Sequence, residues 1–360
     1  MAFGRPRRVV IARNSGVARR WASGGHAVQQ RPLRVVEIVR ETPRAVTLVL
    51  EPDDGRPYHF RAGQYLTHCF EIDGQPHKRA YSMSAPEGGR LCCTVQLIEG
   101  GAVSEFIRTR LRPGDRYPAI GPTGDFVLDL ESAAPLLFVA GGSGITPVIS
   151  LIETALAARP ARSLRLLYAS RDEGSIIFRQ RLDALAQRYA GLNVTHVLSQ
   201  PAAGWSGARG RLDEARRIRE LLGEQREASA YLCGPQGLMD AADAALRDCG
   251  VPAERIRRER FLAAPRVTQN RPTQPQSIFF QQSQRKIRQR VGESILDAGL
   301  REDVALRYSC TVGGCAACRV RVVSGAVSLS EPNCLTPEER AQGYTLACSA
   351  YALEPVVIEA

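Results

Sequence analysis

Between residues 33 and 131 the chain alternates apolar and polar positions in short runs that glycine and proline interrupt. The runs VVEIVRET, RAVTLVLEP and LCCTVQLIEGG show the alternation most clearly. A period of two is typical of half-buried strands, and short strands at regular spacing are typical of a small antiparallel β-barrel. One helix is predicted within this block, at VSEFIRTRL, where the apolar period lengthens.

From residue 132 to residue 262 the rhythm changes to strand, turn and helix. PLLFVAGG precedes PVISLIETALAA, LRLLYASR precedes IIFRQRLDALAQRY, and AYLCGPQG precedes LMDAADAALRDCG. Strands that alternate with helices predict an α/β domain with a parallel sheet. Sheets of this kind bind ligands at the carboxyl ends of their strands.

A third unit is predicted from residue 277 to residue 360. It follows AAPRVTQNRPTQPQ, residues 263–276, which lacks periodicity and predicts an interdomain linker. The unit opens with a predicted hairpin of two strands, SIFFQQSQRKIRQRV, continues with a short helix at SILDAGL and ends on the strand VVIEA. The chain is therefore predicted to be multidomain.

Residues 1–32 are predicted to form a basic, disordered leader, because they hold seven arginines and no acidic residue. They account for most of the net charge of +11. The rest of the chain lacks the basic, aromatic-rich stripe typical of nucleic-acid binding. No apolar run is long enough to span a membrane, and no secretory signal precedes the ten cysteines. A cytoplasmic protein with reduced thiols is predicted.

Three cysteines, Cys310, Cys315 and Cys318, lie close together in YSCTVGGCAACRV, and Cys348 follows in TLACSAY. This spacing suits a plant-type [2Fe-2S] cluster. The two adjacent glycines permit a sharp turn that points backbone N–H groups at anionic sulfur. A zinc site is the alternative, although zinc sites made of four cysteines usually consist of two close pairs. Cys334, in EPNCLT, is not predicted to be a ligand.

A candidate flavin motif, RAYSMSAP, begins at Arg79. An arginine can bind a pyrophosphate, a tyrosine can stack on an isoalloxazine ring, and a serine hydroxyl can bond to flavin N5. Downstream, GGAVSEF places glycines before a helix, where free N–H groups attract phosphate. The same residues also occur on ordinary barrel surfaces, so the motif alone leaves both interpretations open.

A glycine-rich turn, VAGGSGITPVISLI, joins an apolar strand to a helix whose early Pro147 suits a first turn. Such a helix N-terminus can bind the pyrophosphate of a dinucleotide. The alternative is a tight turn without a ligand. The candidate binding residues in this segment are Gly142, Gly144 and Thr146.

Taken together, these motifs resemble those of the ferredoxin–NADP reductase superfamily. RAYSMSAP, GQYL and GPTGDF resemble its flavin barrel, and VAGGSGIT, YLCGPQGLMD and ERF resemble its nicotinamide domain. The last unit resembles plant-type ferredoxins. In this order the domains resemble the reductase components of bacterial multicomponent oxygenases. The resemblance covers roughly residues 33–360. It implies an antiparallel FAD-binding barrel, an α/β NAD(P)-binding domain and a β-grasp ferredoxin domain.

The resemblance also implies roles for individual residues. The implied catalytic residues are Ser82, Cys233 and Glu259. The implied metal ligands are Cys310, Cys315, Cys318 and Cys348. Cofactor-binding roles fall to Arg79, Tyr81, Ser82, Gly101, Val103, Ser104, Gly142, Gly144, Thr146, Ser170, Arg171, Cys233, Gly234 and Phe261. FAD is expected as the flavin, with FMN as the alternative.

These cofactors predict a relay from NAD(P)H through flavin to the cluster and on to a protein acceptor such as an oxygenase, hydroxylase or desaturase. The acceptor is expected to contact the cluster edge transiently, near Thr311, Ala316 and Ala317. A monomer is expected. The alternative function is a flavin and iron-sulfur redox sensor with little catalytic flux. A zinc-bearing protein that binds nucleic acid is a third hypothesis, which would require no flavin.

The preferred nucleotide is open, because neighbouring residues give opposing signals. Ser170 and Arg171 favour the 2′-phosphate of NADPH, whereas Asp172 favours the free 2′-hydroxyl of NADH. Arg209 and Arg211 add positive charge further along the chain. NADPH is the slightly favoured prediction.

Overall fold

The computed structural model describes residues 30–223, 226–261 and 270–360. Residues 1–29, which make up most of the predicted leader, and residues 262–269, which include half of the predicted linker, lie outside the described residues. Within the described ranges the strands form one antiparallel sheet, one parallel sheet and a smaller mixed sheet, in that order along the chain. None of the helices in these ranges is long and apolar enough to cross a membrane.

The first unit is the predicted antiparallel barrel. Its six strands pair in the order β4-β3-β6-β1-β2-β5, and a bridge between Met83 and Cys93 brings the two outer strands together. Along β3 the residues Leu66 and Phe70 are buried in the barrel core, as the alternation predicts. The elements are β1 (Gln30–Thr42), β2 (Ala45–Pro52), β3 (Tyr65–Ile72), β4 (Gln75–Ser82), β5 (Leu91–Gln96), α1 (Ala102–Thr109) and β6 (Arg116–Thr123).

Strand β1 begins inside the predicted leader, at Gln30 rather than at residue 33. Arg31 pairs with Ala119 of β6, and its guanidinium donates to both carboxylate oxygens of Asp54, at 3.1 and 2.5 Å. These bonds fix the Arg31 side chain on the barrel. The charge composition of residues 1–32 does not predict such an ordered arginine. The predicted linker likewise ends one residue early, because Gln276 is the first residue of a strand.

The second unit is a parallel sheet with helices on both faces, in the order β10-β9-β8-β7-β11-β12. Along its central strand, Phe138 packs with one set of helices and Val139 with the other. Burial on both faces explains the continuous apolar run of this strand. The elements are β7 (Leu136–Gly141), α2 (Ile145–Ala158), β8 (Leu164–Ser170), α3 (Arg179–Arg188), β9 (Leu192–Leu198), β10 (Ala208–Arg209), α4 (Ala215–Leu222), β11 (Ser229–Cys233), α5 (Gln236–Asp248) and β12 (Ile256–Glu259).

The third unit is an α+β domain. Its main sheet has the order β14-β13-β19-β15-β17, with β13 and β19 parallel, and β16 pairs with β18 beside it. Ser294 caps α6 by accepting from the Asp297 backbone N–H. This arrangement agrees with the expected β-grasp fold. The elements are β13 (Gln276–Phe280), β14 (Arg285–Gln289), α6 (Ile295–Arg301), β15 (Arg319–Ser324), β16 (Val327–Leu329), α7 (Pro337–Ala341), β17 (Tyr344–Leu346), β18 (Ala350–Ala352) and β19 (Val356–Glu359).

The glycine before β3 offers a test of the barrel. Gly63 has φ +87°, and a Cβ there would lie 1.9 Å from the Phe126 carbonyl oxygen. We expect Gly63→Ala to lower the free energy of unfolding by more than about 2 kcal/mol, because strain and a backbone clash add. Gly204→Ala is the control, since a Cβ there meets no atom within 4 Å. Calorimetric melting temperatures compare the two, and equal values would contradict the packing described.

Candidate functional site

A cleft of about 1080 Å³ lies where the three units meet. The barrel contributes the segments around β3 and β6, the parallel-sheet domain contributes the end of β12, and the third domain contributes its cysteine loop. A single cavity lined by all three units is the place where their cofactors can approach one another. Its lining includes Gln64, Tyr65, Gly124, Glu259, Arg260, Ser309, Cys315 and Ala317.

The cysteine loop has the backbone that the glycines predict. Thr311, Gly313 and Ala316 all have positive φ, at 54°, 78° and 58°. Their conformation turns backbone N–H groups inward, and the N–H groups of Val312 and Gly314 donate to Cys310 Sγ at 3.4 and 3.3 Å. Donors of this kind stabilise anionic sulfur.

The four predicted ligands meet in two pairs. The Cys310 backbone N–H donates to Cys315 Sγ at 3.4 Å. The Ala347 N–H donates to the Cys318 carbonyl at 3.0 Å, which holds Cys348 beside Cys318. The neighbouring thiol, Cys310 for Cys315 and Cys318 for Cys348, lowers the pKa of Cys315 and of Cys348. Two ligand pairs would suit the two irons of a plant-type [2Fe-2S] centre.

Cys334 stands apart from these pairs, as the sequence predicts. Its backbone N–H donates to the Gly313 carbonyl at 3.0 Å, so it supports the loop through its main chain. Burial raises the pKa of its thiol. By contrast, Cys348 Sγ lies 3.3 Å from the Ser349 hydroxyl, a second donor for a thiolate.

The predicted flavin residues lie on β4 and at the start of α1. Arg79 is half-buried and donates to the Lys78 carbonyl at 2.7 Å, and no carboxylate in the described residues pairs with it. Burial lowers the pKa of Arg79, so an anion beside it would relieve the cost of burying its charge. Gly101 caps α1 without a side-chain bond, which leaves first-turn N–H groups free for phosphate. These features fit a flavin pyrophosphate.

The other predicted flavin residues are buried or half-buried within the barrel. Ser104 accepts a hydrogen bond from the Ile98 backbone N–H at 2.9 Å, and Val103 is buried in the barrel core. Tyr81 is half-buried beside the His68 ring, at a centroid distance of 5.2 Å. Ser82 is buried and pairs across the ladder with Tyr65 of the cleft. Strand β4 thus lies one strand away from the cleft lining.

A second cavity, of about 400 Å³, opens at the carboxyl ends of the parallel strands. This is the edge at which the fold class predicts a ligand. Gly142, Ser170 and Arg171 line it, as the motifs predict, and Gln96 of the barrel faces it. The cavity fits a dinucleotide that reaches from the parallel sheet towards the barrel.

Gly144 and Thr146 lie beneath this cavity and are buried. A Cβ on Gly144 would stand 2.0 Å from the Cys233 carbonyl oxygen. A Cβ on Gly234 would in turn stand 2.9 Å from the Gly141 nitrogen. Both glycines therefore let the CGP segment pack against the glycine-rich turn.

The two remaining catalytic candidates lie on neighbouring strands. Cys233 is the register partner of Glu259 at the ends of β11 and β12. Cys233 is fully buried and lines neither cavity, whereas Glu259 lines the cleft. Burial, with Cys315 and Asp125 nearby, raises the pKa of Glu259 to about 8. Phe261 is 43% exposed.

The acceptor contact expected near Thr311, Ala316 and Ala317 stays a prediction. Of these three residues, Ala317 lines the cleft between the domains. Tyr65 belongs to GQYL and Ser309 to the cysteine motif, but neither motif indicated that Tyr65, Thr67 and Ser309 join the loop to the barrel. The sequence predicted only that Tyr65 and Thr67, two positions apart on an alternating strand, lie on the same face.

Comparisons with known proteins agree with this layout. Family models match in the same order: an oxidoreductase FAD-binding domain at residues 33–128, an oxidoreductase NAD-binding domain at 138–244 and a 2Fe-2S iron-sulfur cluster binding domain at 278–353. The matches bear out the predicted FAD, nicotinamide and [2Fe-2S] cofactors.

Whole-length relatives share this organisation. A component of the 1,2-phenylacetyl-CoA epoxidase from Escherichia coli K12 is 33% identical, over 91% of this chain and 96% of that protein. A glycine betaine monooxygenase reductase from Pseudomonas aeruginosa is 27% identical, over 94% and 96%. The fold of phthalate dioxygenase reductase matches with a TM-score of 0.65 at 24% identity, over 92% and 98% of the two chains.

Two cysteines test the ligand set. We expect Cys348→Ser to reduce bound iron from about two per chain to well below one, because it removes a thiolate from one pair. Cys334→Ser removes a nearby thiol that is outside the pairs, and it should keep the iron. Iron analysis and the visible spectrum of each purified variant measure the difference. Loss of the cluster in Cys334→Ser alone would show that the ligand set is wrong.

Proposed function

Because the chain belongs to the three-domain reductases of the ferredoxin–NADP reductase family, we propose that it supplies electrons to the oxygenase component of a multicomponent enzyme. It is an NAD(P)H-dependent oxidoreductase with FAD and a [2Fe-2S] centre. The observation that carries the proposal is the cleft shared by all three units, in which Glu259 of the nicotinamide domain and Cys315 of the cluster loop line one cavity with Tyr65 of the barrel.

The cofactors supply the redox chemistry: a flavin accepts electrons from a nicotinamide in pairs and releases them singly to a [2Fe-2S] centre. The protein supplies binding and orientation. Arg79 and the first turn of α1 hold the flavin pyrophosphate, Tyr81 stacks on the ring and Ser82 faces N5. Close packing of Gly144 on the Cys233 backbone joins the turns after β7 and β11 beside the second cavity, where the nicotinamide nucleotide is proposed to bind.

Glu259 is an acidic residue of the cleft, and burial raises its pKa, which favours the protonated carboxyl. A neutral carboxyl can donate a hydrogen bond where a carboxylate would repel electron-rich groups. We propose that Glu259, the register partner of Cys233, supports the site of hydride transfer. Phe261 follows two residues later, and its 43% exposure allows it to cover the flavin.

The proposed acceptor follows from the relatives. Two of them belong by name to an epoxidase and to a monooxygenase, so an oxygenase component is the proposed partner here. None of the ten cysteines is in a disulfide, four being proposed cluster ligands, which supports the proposal of a cytoplasmic setting. We also propose that the reductase acts as a monomer, which light scattering on a sizing column measures.

Steady turnover tests the proposed function. We expect continuous NADPH oxidation with cytochrome c as acceptor, and flavin and iron-sulfur bands that bleach together when NADPH is added without air. Cys348→Ser, without its cluster, should lose cytochrome c reduction and keep reduction of ferricyanide, which a flavin reduces directly. A wild-type protein that is reduced once and then stops would instead be a sensor.

Nucleotide preference gives a separate prediction. Arg211 lines the second cavity with Ser170 and Arg171, and its guanidinium bonds to Asp213 at 2.8 Å. We propose that it binds the 2′-phosphate of NADPH. Arg211→Ala should lower kcat/KM for NADPH about tenfold, as expected for one lost charge-assisted bond, and leave NADH nearly unchanged.

The matched control is Arg216→Ala, which removes an exposed arginine that pairs with Glu220 on α4. It should alter neither value. A clear preference of the wild-type protein for NADH would overturn the assignment, and so would equal losses with both nucleotides in Arg211→Ala.

A further inference from the structure

Two residues of β3 join the barrel to the cysteine loop. The Tyr65 hydroxyl lies 2.9 Å from Ser309 Oγ, and Thr67 Oγ1 donates to the Cys310 carbonyl oxygen at 2.9 Å. Tyr65 is 5% exposed and Thr67 is 0% exposed. Because they are two positions apart on one strand, both side chains lie on the same face. The cysteine loop is therefore hydrogen-bonded to one face of strand β3.

These contacts reach a single pair of thiols. Thr67 bonds to the main chain of Cys310, and Tyr65 lines the same cleft as Cys315. Cys310 and Cys315 form one of the two pairs, so they would hold the same iron. The barrel therefore contacts the cysteine loop at residues that would hold this iron.

Strand β3 also pairs with β4, which carries the predicted flavin residues and is called the flavin strand here. In the β3–β4 ladder Tyr65 stands opposite Ser82, and Thr67 stands opposite Ala80. Side chains that are directly opposite in an antiparallel pair share a face. The residue proposed to face flavin N5 is therefore the immediate neighbour of a residue that contacts the cluster loop.

The Tyr65 ring packs against Gly124, where a side chain would crowd it. A Cβ on Gly124 would lie 3.1 Å from two carbons of the ring, and Gly124 has φ +119°, which L side chains rarely adopt. The GPTGDF segment is thus shaped around the Tyr65 ring, in addition to any contact with the flavin.

We propose that Tyr65 and Thr67 are positioning residues for electron transfer, whose hydroxyls dock the cluster loop on β3, next to the flavin strand β4. Together with the β3–β4 ladder they connect the cluster loop to the flavin strand through hydrogen bonds. The proposal rests on the proposed function. With both cofactors bound, these residues would hold the cluster loop beside the flavin strand while electrons pass singly from flavin to cluster.

The test is anaerobic stopped-flow mixing of the holoenzyme with NADPH. Thr67→Val has nearly the same shape but no hydroxyl, and we expect it to slow reduction of the cluster about tenfold, the effect of losing roughly 1.4 kcal/mol. Flavin reduction by NADPH should keep its rate. Thr67→Ser restores the hydroxyl and should restore the rate of cluster reduction.

Hydrogen exchange measures docking independently of turnover. In oxidised holoenzyme, Thr67→Val should raise amide exchange across residues 308–318, whereas Thr67→Ser should not. Tyr65→Phe repeats the test if the valine variant does not fold. Its control is Tyr189→Phe, which removes a phenol at the end of α3 that lines neither cavity. The control should leave the rate of cluster reduction and the exchange of residues 308–318 unchanged.

The outcomes separate this inference from the proposed function. If the wild-type cluster is never reduced by NADPH, the proposed function fails. If the wild-type cluster is reduced but Thr67→Val and Tyr65→Phe match its rate and its exchange pattern, the inference fails and the function stands. Slower cluster reduction in both variants, with rescue by Thr67→Ser, supports the inference.

Discussion

The pairing of β3 with β4 is the interaction on which the layout of this reductase depends. Strand β4 carries the predicted flavin residues, and β3 carries the hydroxyls that bond to the cluster loop. An antiparallel ladder fixes neighbouring strands within about 5 Å of each other and leaves little freedom to slip, since a shift of one residue would turn every side chain to the opposite face. The barrel therefore acts as the rigid element between two domains.

A steric constraint has the same effect on the nicotinamide side. A Cβ on Gly144 would lie 2.0 Å from the Cys233 carbonyl oxygen, so no larger residue fits there. A Cβ on Gly141 would lie 2.6 Å from Leu238 and 2.7 Å from Pro235. The turns after β7 and β11 are consequently locked together at one edge of the sheet. Two hydrogen bonds, from Ser150 to the Ala85 carbonyl and from the Glu87 N–H to Thr154, then join α2 to the segment after β4.

Local patterns were sufficient to predict the fold class. The alternation of apolar and polar residues predicted the barrel. The continuous apolar run around Phe138 and Val139 predicted the parallel sheet, and the cysteine spacing with adjacent glycines predicted the cluster loop. Such features depend on residues that are near in sequence. Arg31 was misplaced in the leader because its partner, Asp54, is more than twenty residues away. Thr67 and Cys310 are farther apart still, and nothing in either segment indicates a contact with the other.

The site shows the same division between local and long-range information. Gly142, Ser170 and Arg171 reach the cavity that their motifs predicted, because each directly follows a strand of one sheet or ends it. The depth of Cys233 and the position of Ala317 in the cleft depend on how whole domains pack, which no motif encodes.

The most direct test of the central claim is an electron paramagnetic resonance spectrum of the protein reduced by NADPH under anaerobic conditions and frozen. A relay through flavin to the cluster predicts the signal of a reduced [2Fe-2S] centre, at about one spin per chain. A bleached flavin with no such signal, in protein that contains its full iron, would contradict the account.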